Sequence, residues 1–186
     1  MGFFDFFKKL FKKEEISAPA IELRTIDVTE RGLLINGEQL LDLPVHIDIA
    51  KKVLGSPRGV EFKTDKNSRE FLEQMNGKGA VTKRVNYTWD ALGIYCYTNN
   101  GTVINSFGIR LSMQADEYKH TPKCCTPAVV TIGGKPWFEL LHNAEDMEFF
   151  RRCKFGPYSI VSEYIDPFED HSARDESSYA DIEISV

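Results

Sequence analysis

Acidic side chains are concentrated at the C-terminus, where Asp166, Glu169, Asp170, Asp175, Glu176, Asp181 and Glu183 stand against a single cation, Arg174. The formal net charge of the whole chain is −5, so the residues before this stretch are close to neutral and the acidity is local. Carboxylates interleaved with Phe168 and Tyr179 would suit a basic cleft on another protein and would speed association by electrostatic steering. Asp166, Phe168, Glu169, Asp170, Asp175, Glu176 and Tyr179 are therefore the candidate partner-binding residues. The competing reading is a solvated connection between two strands. A calcium loop is not expected, because the Asp-x-Asp-x-Asp-Gly spacing is missing.

Other chemistry-bearing residues form no convincing constellation. His120, Cys124, Cys125 and Cys153 offer soft ligands without paired C-x2-C spacing, so free thiols and no metal are expected. Four cysteines, two of them adjacent, argue against a disulfide framework and for a reducing cytoplasmic compartment. Gly133-Gly134-Lys135 lacks the upstream glycine of a phosphate loop and is followed by Pro136 where a magnesium-binding hydroxyl would be needed. His46, His120, His142 and His171 are scattered, and His142 beside Glu145 and Asp146 reads as an acid-rich helix start. No nucleophile has a base at the required spacing, so neither enzymatic activity nor a cofactor is expected. Lys83 and Arg84 near Tyr87 are too few for a nucleic-acid platform.

The element that must carry these residues is clearest from Tyr87 to Met113. Two alternating segments flank Asn99-Asn100-Gly101, residue types that accept positive φ, and this predicts a long antiparallel ribbon. Trp89 is expected as a core anchor and Asp90 as a cap for the turn before Leu92-Gly93, while Tyr95, Tyr97 and Tyr118 either form an aromatic face or pack under a helix. Upstream, residues 1–15 are expected to form an amphipathic helix, with Phe3, Phe4, Phe6, Phe7, Leu10 and Phe11 on one arc and Asp5, Lys8, Lys9, Lys12 and Lys13 on the other. That apolar face is a candidate for a membrane surface or a partner helix, with docking on the protein's own sheet or packing against another subunit as the competing readings, and residues 16–20, with Pro19, read as a linker. A single α+β domain is expected over 21–186, in which 42% apolar residues suffice for a core.

Within that domain, Leu33–Leu40 predicts a hairpin around Asn36-Gly37. A helix after Pro44 should bury Ile47, Ile49, Ala50, Val53 and Leu54 and stop at Gly55, and a second helix is centred on Ser68–Met75. The second half echoes this order. It has a hairpin at Ile132-Gly133-Gly134-Lys135, a helix over Asn143–Cys153 stopped by Gly156-Pro157, a strand at Tyr158–Ile165 and a closing strand at Ala180–Val186. Two tandem hairpin-helix-strand repeats, 21–118 and 126–186, are one reading of this echo; the commonness of such units is the other. The predicted fold is a mostly antiparallel sheet with helices packed on one face. No stretch is long enough to span a bilayer, and no secretory signal is expected because Asp5, Lys8 and Lys9 interrupt the apolar start.

The order helix, Leu54-Gly55-Ser56-Pro57, then Tyr87-Thr88-Trp89-Asp90 and a long hairpin resembles the tandem helix-plus-sheet repeat of the beta-lactamase inhibitor protein and related small outer-membrane assembly lipoproteins. It is also similar to an uncharacterised bacterial domain of toxin-immunity loci with a Trp-Asp-x-Leu-Gly-Ile hairpin. A lipobox cysteine is absent near the start, which points away from an outer-membrane role. The resemblance implies a non-enzymatic binding protein: a bacterial immunity protein that occludes the cleft of a cognate toxin, with a cytoplasmic location. The alternative is a peripheral membrane adaptor or scaffold recruited to the inner face of the membrane by the N-terminal segment.

Overall fold

The computed structural model describes residues 21–62, 84–98, 100–114, 121–166 and 174–186, with the single positions 70, 74 and 168. The amphipathic segment of residues 1–15 lies outside the described residues, as do Glu169 and Asp170, and the helix expected around Ser68–Met75 does so apart from Glu70 and Gln74. Strands β1 (Thr25–Thr29), β2 (Gly32–Ile35) and β3 (Gln39–Asp42) open the chain and lead through β4 (Val45–His46) into helix α1 (Ile47–Leu54). An antiparallel run follows, of β5 (Arg58–Phe62), β6 (Arg84–Trp89), β7 (Ile94–Thr98) and β8 (Val103–Arg110). The second half has β9 (Val129–Ile132), β10 (Lys135–Pro136), α2 (Trp137–His142), β11 (Glu145–Asp146), β12 (Phe150–Phe155), β13 (Tyr158–Glu163) and β14 (Asp181–Ser185).

Two sheets result. The smaller has the order β10-β9-β1-β2-β3, and its β1 runs parallel to β9 and antiparallel to β2. The larger has the order β11-β12-β13-β14-β8-β7-β6-β5, with β4 added beside β8. The expected ribbon is β7–β8, and its turn is held by Asn100, whose side chain accepts from the backbone of Thr102 (2.9 Å) and Val103 (2.8 Å). Asn36 and Gly37 take positive φ in the β2–β3 turn, as their types allow. Each half thus contains a hairpin, a helix and a four-strand antiparallel meander, and the last strands of the two meanders, β8 and β14, pair with each other at the centre of the large sheet.

Sequence and structure part at the second helix. The helix expected over Asn143–Cys153 is instead α2, which starts directly after Pro136 and buries Trp137 and Leu141 four residues apart. Residues 150–155 form β12: Arg151, Cys153 and Phe155 turn toward the core, Arg152 and Lys154 outward, and Gly156-Pro157 is the hairpin turn into β13. Alternation with period two outweighs local helix preference there because the turn delivers a partner strand. In α1, Ile47, Ala50 and Leu54 are buried as expected, whereas Ile49 is 48% exposed.

One apolar cluster joins both sheets and both helices, including Ile26, Val28 and Leu33 of the small sheet, Ile94, Phe107, Ile160 and Ile182 of the large one, and Ala50 and Leu141. The small sheet therefore occupies much of the face on which helices alone were expected. Trp89 is 3% exposed and donates to the Gly55 carbonyl at 2.7 Å, the anchoring role expected of it. Asp90, expected to cap a turn, instead accepts two hydrogen bonds from Arg58 (2.9 and 2.8 Å) and one from the Lys123 amide. Alternation leaves the opposite face of the large sheet to Tyr95, Tyr97, Gly108, Arg110, Asp181, Glu183 and Glu163. Among the described residues no helix is long and apolar enough to cross a membrane.

Candidate functional site

Pairing register brings distant parts of the sequence to one end of the large sheet. Phe150 lies opposite Glu163, the Tyr164 amide donates to the Phe149 carbonyl (3.0 Å), and the Met147 amide donates to the Phe150 carbonyl (2.9 Å). The acidic loop leaves from here, and its return is tied at the same place: Ile165 donates to the Ser178 carbonyl (2.9 Å), and Tyr164 bridges Tyr179. Three large apolar side chains are left in solvent at this end: Met147, Phe149 at 50% exposure and Phe168 at 84%. Glu148, Glu163, Asp166 and Glu176, carried by the same segments and by the returning end of the loop, are exposed too, and among the described residues none of the four makes an ion pair with a cation of the fold. Asp166 also accepts from the Phe168 amide at 2.9 Å, which fixes the first turn of the loop.

The carboxylates continue onto the outer face. The Ala180 amide donates to the Glu163 carbonyl, which sets Asp181 beside Glu163, with Glu183 two residues further along the same face of β14. The ring of Tyr95 crosses β8 at Gly108, where a Cβ would lie 2.0 Å from the ring, and its hydroxyl donates to Asp181. Burial, with the neighbouring Glu163 charge, pushes the Asp181 carboxyl up to about 6 against the opposing Tyr95 hydrogen bond. Burial, then the Asp181 and Glu163 charges, pushes Glu183 up to about 7. Arg110 is opposite Asp181 in register, but its guanidinium donates to the carbonyls of Ser112 and Pro122.

The inner side of the loop is different in kind, and it corrects one expectation. Tyr179 is not on a partner surface: it is 1% exposed and packs edge-on against Trp137 (5.4 Å) and Phe138 (5.8 Å), because its bridge to Tyr164 turns the ring inward under α2. Burial pushes its phenol up to about 12. Arg174, the cation of the loop, is also buried, with its guanidinium 3.5 Å from the Tyr164 ring centroid and 3.6 Å from Asp146. Asp146, expected near a helix start, lies on β11 and also takes Arg151 (3.4 Å) and the Tyr164 hydroxyl (2.6 Å). Among its described residues the loop therefore folds its cation inward and leaves Asp166, Asp175 and Glu176 exposed. Asp175 is exposed, and its side chain accepts from the Ser177 amide (2.8 Å) and hydroxyl (2.6 Å), which lowers its pKa and caps the turn at Glu176–Ser178.

All four cysteines are free, and burial raises the Cys96 thiol to about 12. Among the described residues no three His, Cys, Asp or Glu side chains gather as metal ligands, and His120 lies outside the described residues. A groove of about 660 Å³ opens beside α2, lined by Ile132, Phe138, Leu140 and Phe155 with Lys135 and Glu139 among its polar residues.

Residues 25–147 match the family described as a domain of unknown function, DUF7738. The chain belongs to this family. No curated protein and no solved structure matches it. The DUF7738 match runs from β1 to the Met147 that follows β11, so it holds the small sheet, both helices and the ribbon, while β12 to β14 and the acidic loop lie beyond it. Met147, Phe149 and Glu163 were not singled out from the sequence. The misplaced helix over 143–153 concealed Met147 and Phe149, and for Glu163 the signal was its outward place in the alternation of the strand at Tyr158–Glu163.

Proposed function

We propose that this protein binds another protein through the acid-rimmed apolar end of its large sheet, as an immunity-type inhibitor that occludes a basic or catalytic cleft of a toxin. The observation that carries the reading is the exposure of Met147, Phe149 and Phe168 on segments that also carry the exposed carboxylates Glu148, Glu163 and Asp166, with Glu176 exposed where the loop returns. Exposed aromatic anchors supply binding energy when a partner desolvates them, and surrounding carboxylates select and steer a basic partner. The inhibitory role comes from the resemblance of the hairpin, helix and sheet order to inhibitor-type repeats. Loop residues 166–176 are close enough in sequence to the apolar trio to enter one cleft together. Two of the loop's expected contact residues, Glu169 and Asp170, lie outside the described residues.

Affinity capture from the native host tests this reading, comparing the wild type with a variant carrying E148Q, D166N, E176Q and F168S. The expected result is a basic protein retained by the wild type, lost from the variant and released progressively as salt rises. Equal retention by both proteins removes this surface from the function.

A further inference from the structure

We propose that Asn100, in the turn of the β7–β8 ribbon, is a site of spontaneous deamidation, where the side-chain amide is converted to a carboxylate with loss of ammonia. The sequence holds three Asn-Gly pairs, Asn36-Gly37, Asn76-Gly77 and Asn100-Gly101, of which the second lies outside the described residues. Glycine in second place matters because it has no side chain to hinder its nitrogen from closing a five-membered ring onto the asparagine Cγ. The two described pairs share that feature. They differ in how the fold holds the amide.

Asn100 is exposed, and its Oδ1 accepts from the Thr102 amide (2.9 Å), the Thr102 hydroxyl (3.2 Å) and the Val103 amide (2.8 Å). These bonds run forward over Gly101, so the ring each of them closes contains both Cγ and the Gly101 nitrogen. Three donors polarise the carbonyl and face the negative charge that develops on Oδ1 when nitrogen adds, as in an oxyanion hole. Among the described residues nothing accepts from the Gly101 amide or from Asn100 Nδ2, so nucleophile and leaving group are both untethered. The Gly101 nitrogen gives its proton to hydroxide and adds to Cγ, and the Cγ–Nδ2 bond breaks to release ammonia, which takes its extra proton from water. Water then opens either carbonyl of the resulting succinimide, leaving aspartate or its isoaspartyl isomer, with no net oxidation. Gly101 is buried, which makes removal of its proton the slow step, so the rate should rise with pH.

Asn36 is held the other way. Its Oδ1 accepts from the Arg24 (2.8 Å) and Thr25 (3.2 Å) amides, and its Nδ2 donates to the Glu22 carbonyl (3.0 Å). The carboxamide is thus drawn across to the start of β1, and these bonds must break before Cγ meets the Gly37 nitrogen. At Asn100 the product bears on the fold, because the neighbouring carbonyls are in use: Gly101 accepts from the Tyr87 hydroxyl (2.8 Å), and Thr102 from the Ile47 amide at the start of α1 (2.8 Å). Aspartate keeps the acceptor for Thr102 and Val103 and adds charge to it, whereas the isoaspartyl form lengthens the backbone inside the turn.

Incubation of the full chain at mildly alkaline pH, folded and in guanidinium chloride, followed by peptide mapping with fragment-ion assignment, tests the proposal. In the folded chain the amide-to-acid mass change should accumulate at Asn100 at least about tenfold faster than at Asn36, a ratio within what the three bonds on Asn36 can supply. In denaturant, where both sets of bonds are gone, the two positions should convert at similar rates. Asn36 keeping pace with Asn100 in the folded chain would overturn it, and so would an Asn100 that stays intact there while the denatured chain reacts. No partner enters this experiment, so neither outcome bears on the binding reading.

Discussion

Two charge clusters, one on either side of β13 and β14, are built from neighbouring residues and solve the same electrostatic problem in opposite ways. On the core side, Asp146 is held by Arg151, Arg174 and the Tyr164 hydroxyl, so every buried charge faces an opposite one. On the outer side, Asp181 sits beside Glu163 and Glu183, and the Tyr95 hydroxyl and the Arg110 charge offset their repulsion only in part. The first arrangement compensates each buried cation with a carboxylate. The second gathers like charges at a cost.

Breaking the closed cluster should have the largest effect. D146A leaves two buried guanidinium groups without their carboxylate and is expected to lower unfolding stability by about 3 kcal/mol in a urea titration. A change under about 0.5 kcal/mol would mean that the pairing is not what holds β11 to β12.

The open cluster should respond to pH in the opposite sense from an ordinary salt bridge. Asp181 and Glu183 have folded pKa values raised to about 6 and about 7, above the ordinary carboxylate range. The stability associated with their protonated forms is therefore fully present below about pH 4 and is lost as pH rises through 6 to 7. With a discount for partial exposure, the wild type should lose about 2 kcal/mol between pH 4 and 8, and E183Q should recover about half of it at pH 8 while matching the wild type at pH 4. A pH-independent difference between the two proteins would dissolve the contrast.

Smaller effects sharpen the geometry. G108A places a methyl where the Tyr95 ring lies, so the ring must leave Asp181, at an expected cost of about 1–2 kcal/mol. Y95F removes only the hydroxyl and should cost about 1 kcal/mol. In both variants the Asp181 midpoint, followed by carboxyl carbon NMR, should move upward from about 6, because the Tyr95 hydrogen bond lowers it.

Much of the scaffold was legible because its signals are local. Asn36-Gly37, Asn100-Gly101 and the alternation of Asp181–Ser185 each state a turn or a strand without reference to the rest of the chain. Residues 143–155 were misread because their acidic start imitates a helix N-terminus, and only pairing with β13 reveals β12. The acidic loop was visible as charge, but not its division into an outer face of carboxylates and an inner face of Arg174 and Tyr179, since that depends on where α2 lies. Glu163 and Phe150 become neighbours only through register, which composition does not encode.

The most direct test of the central claim is isothermal titration of the captured partner against the wild type and F149S/F168S at matched salt. Binding through the acid-rimmed apolar end predicts a dissociation constant at least about tenfold weaker for the variant, a loss of about 1.4 kcal/mol or more, with folding intact by circular dichroism. Identical affinities for the two proteins would contradict it.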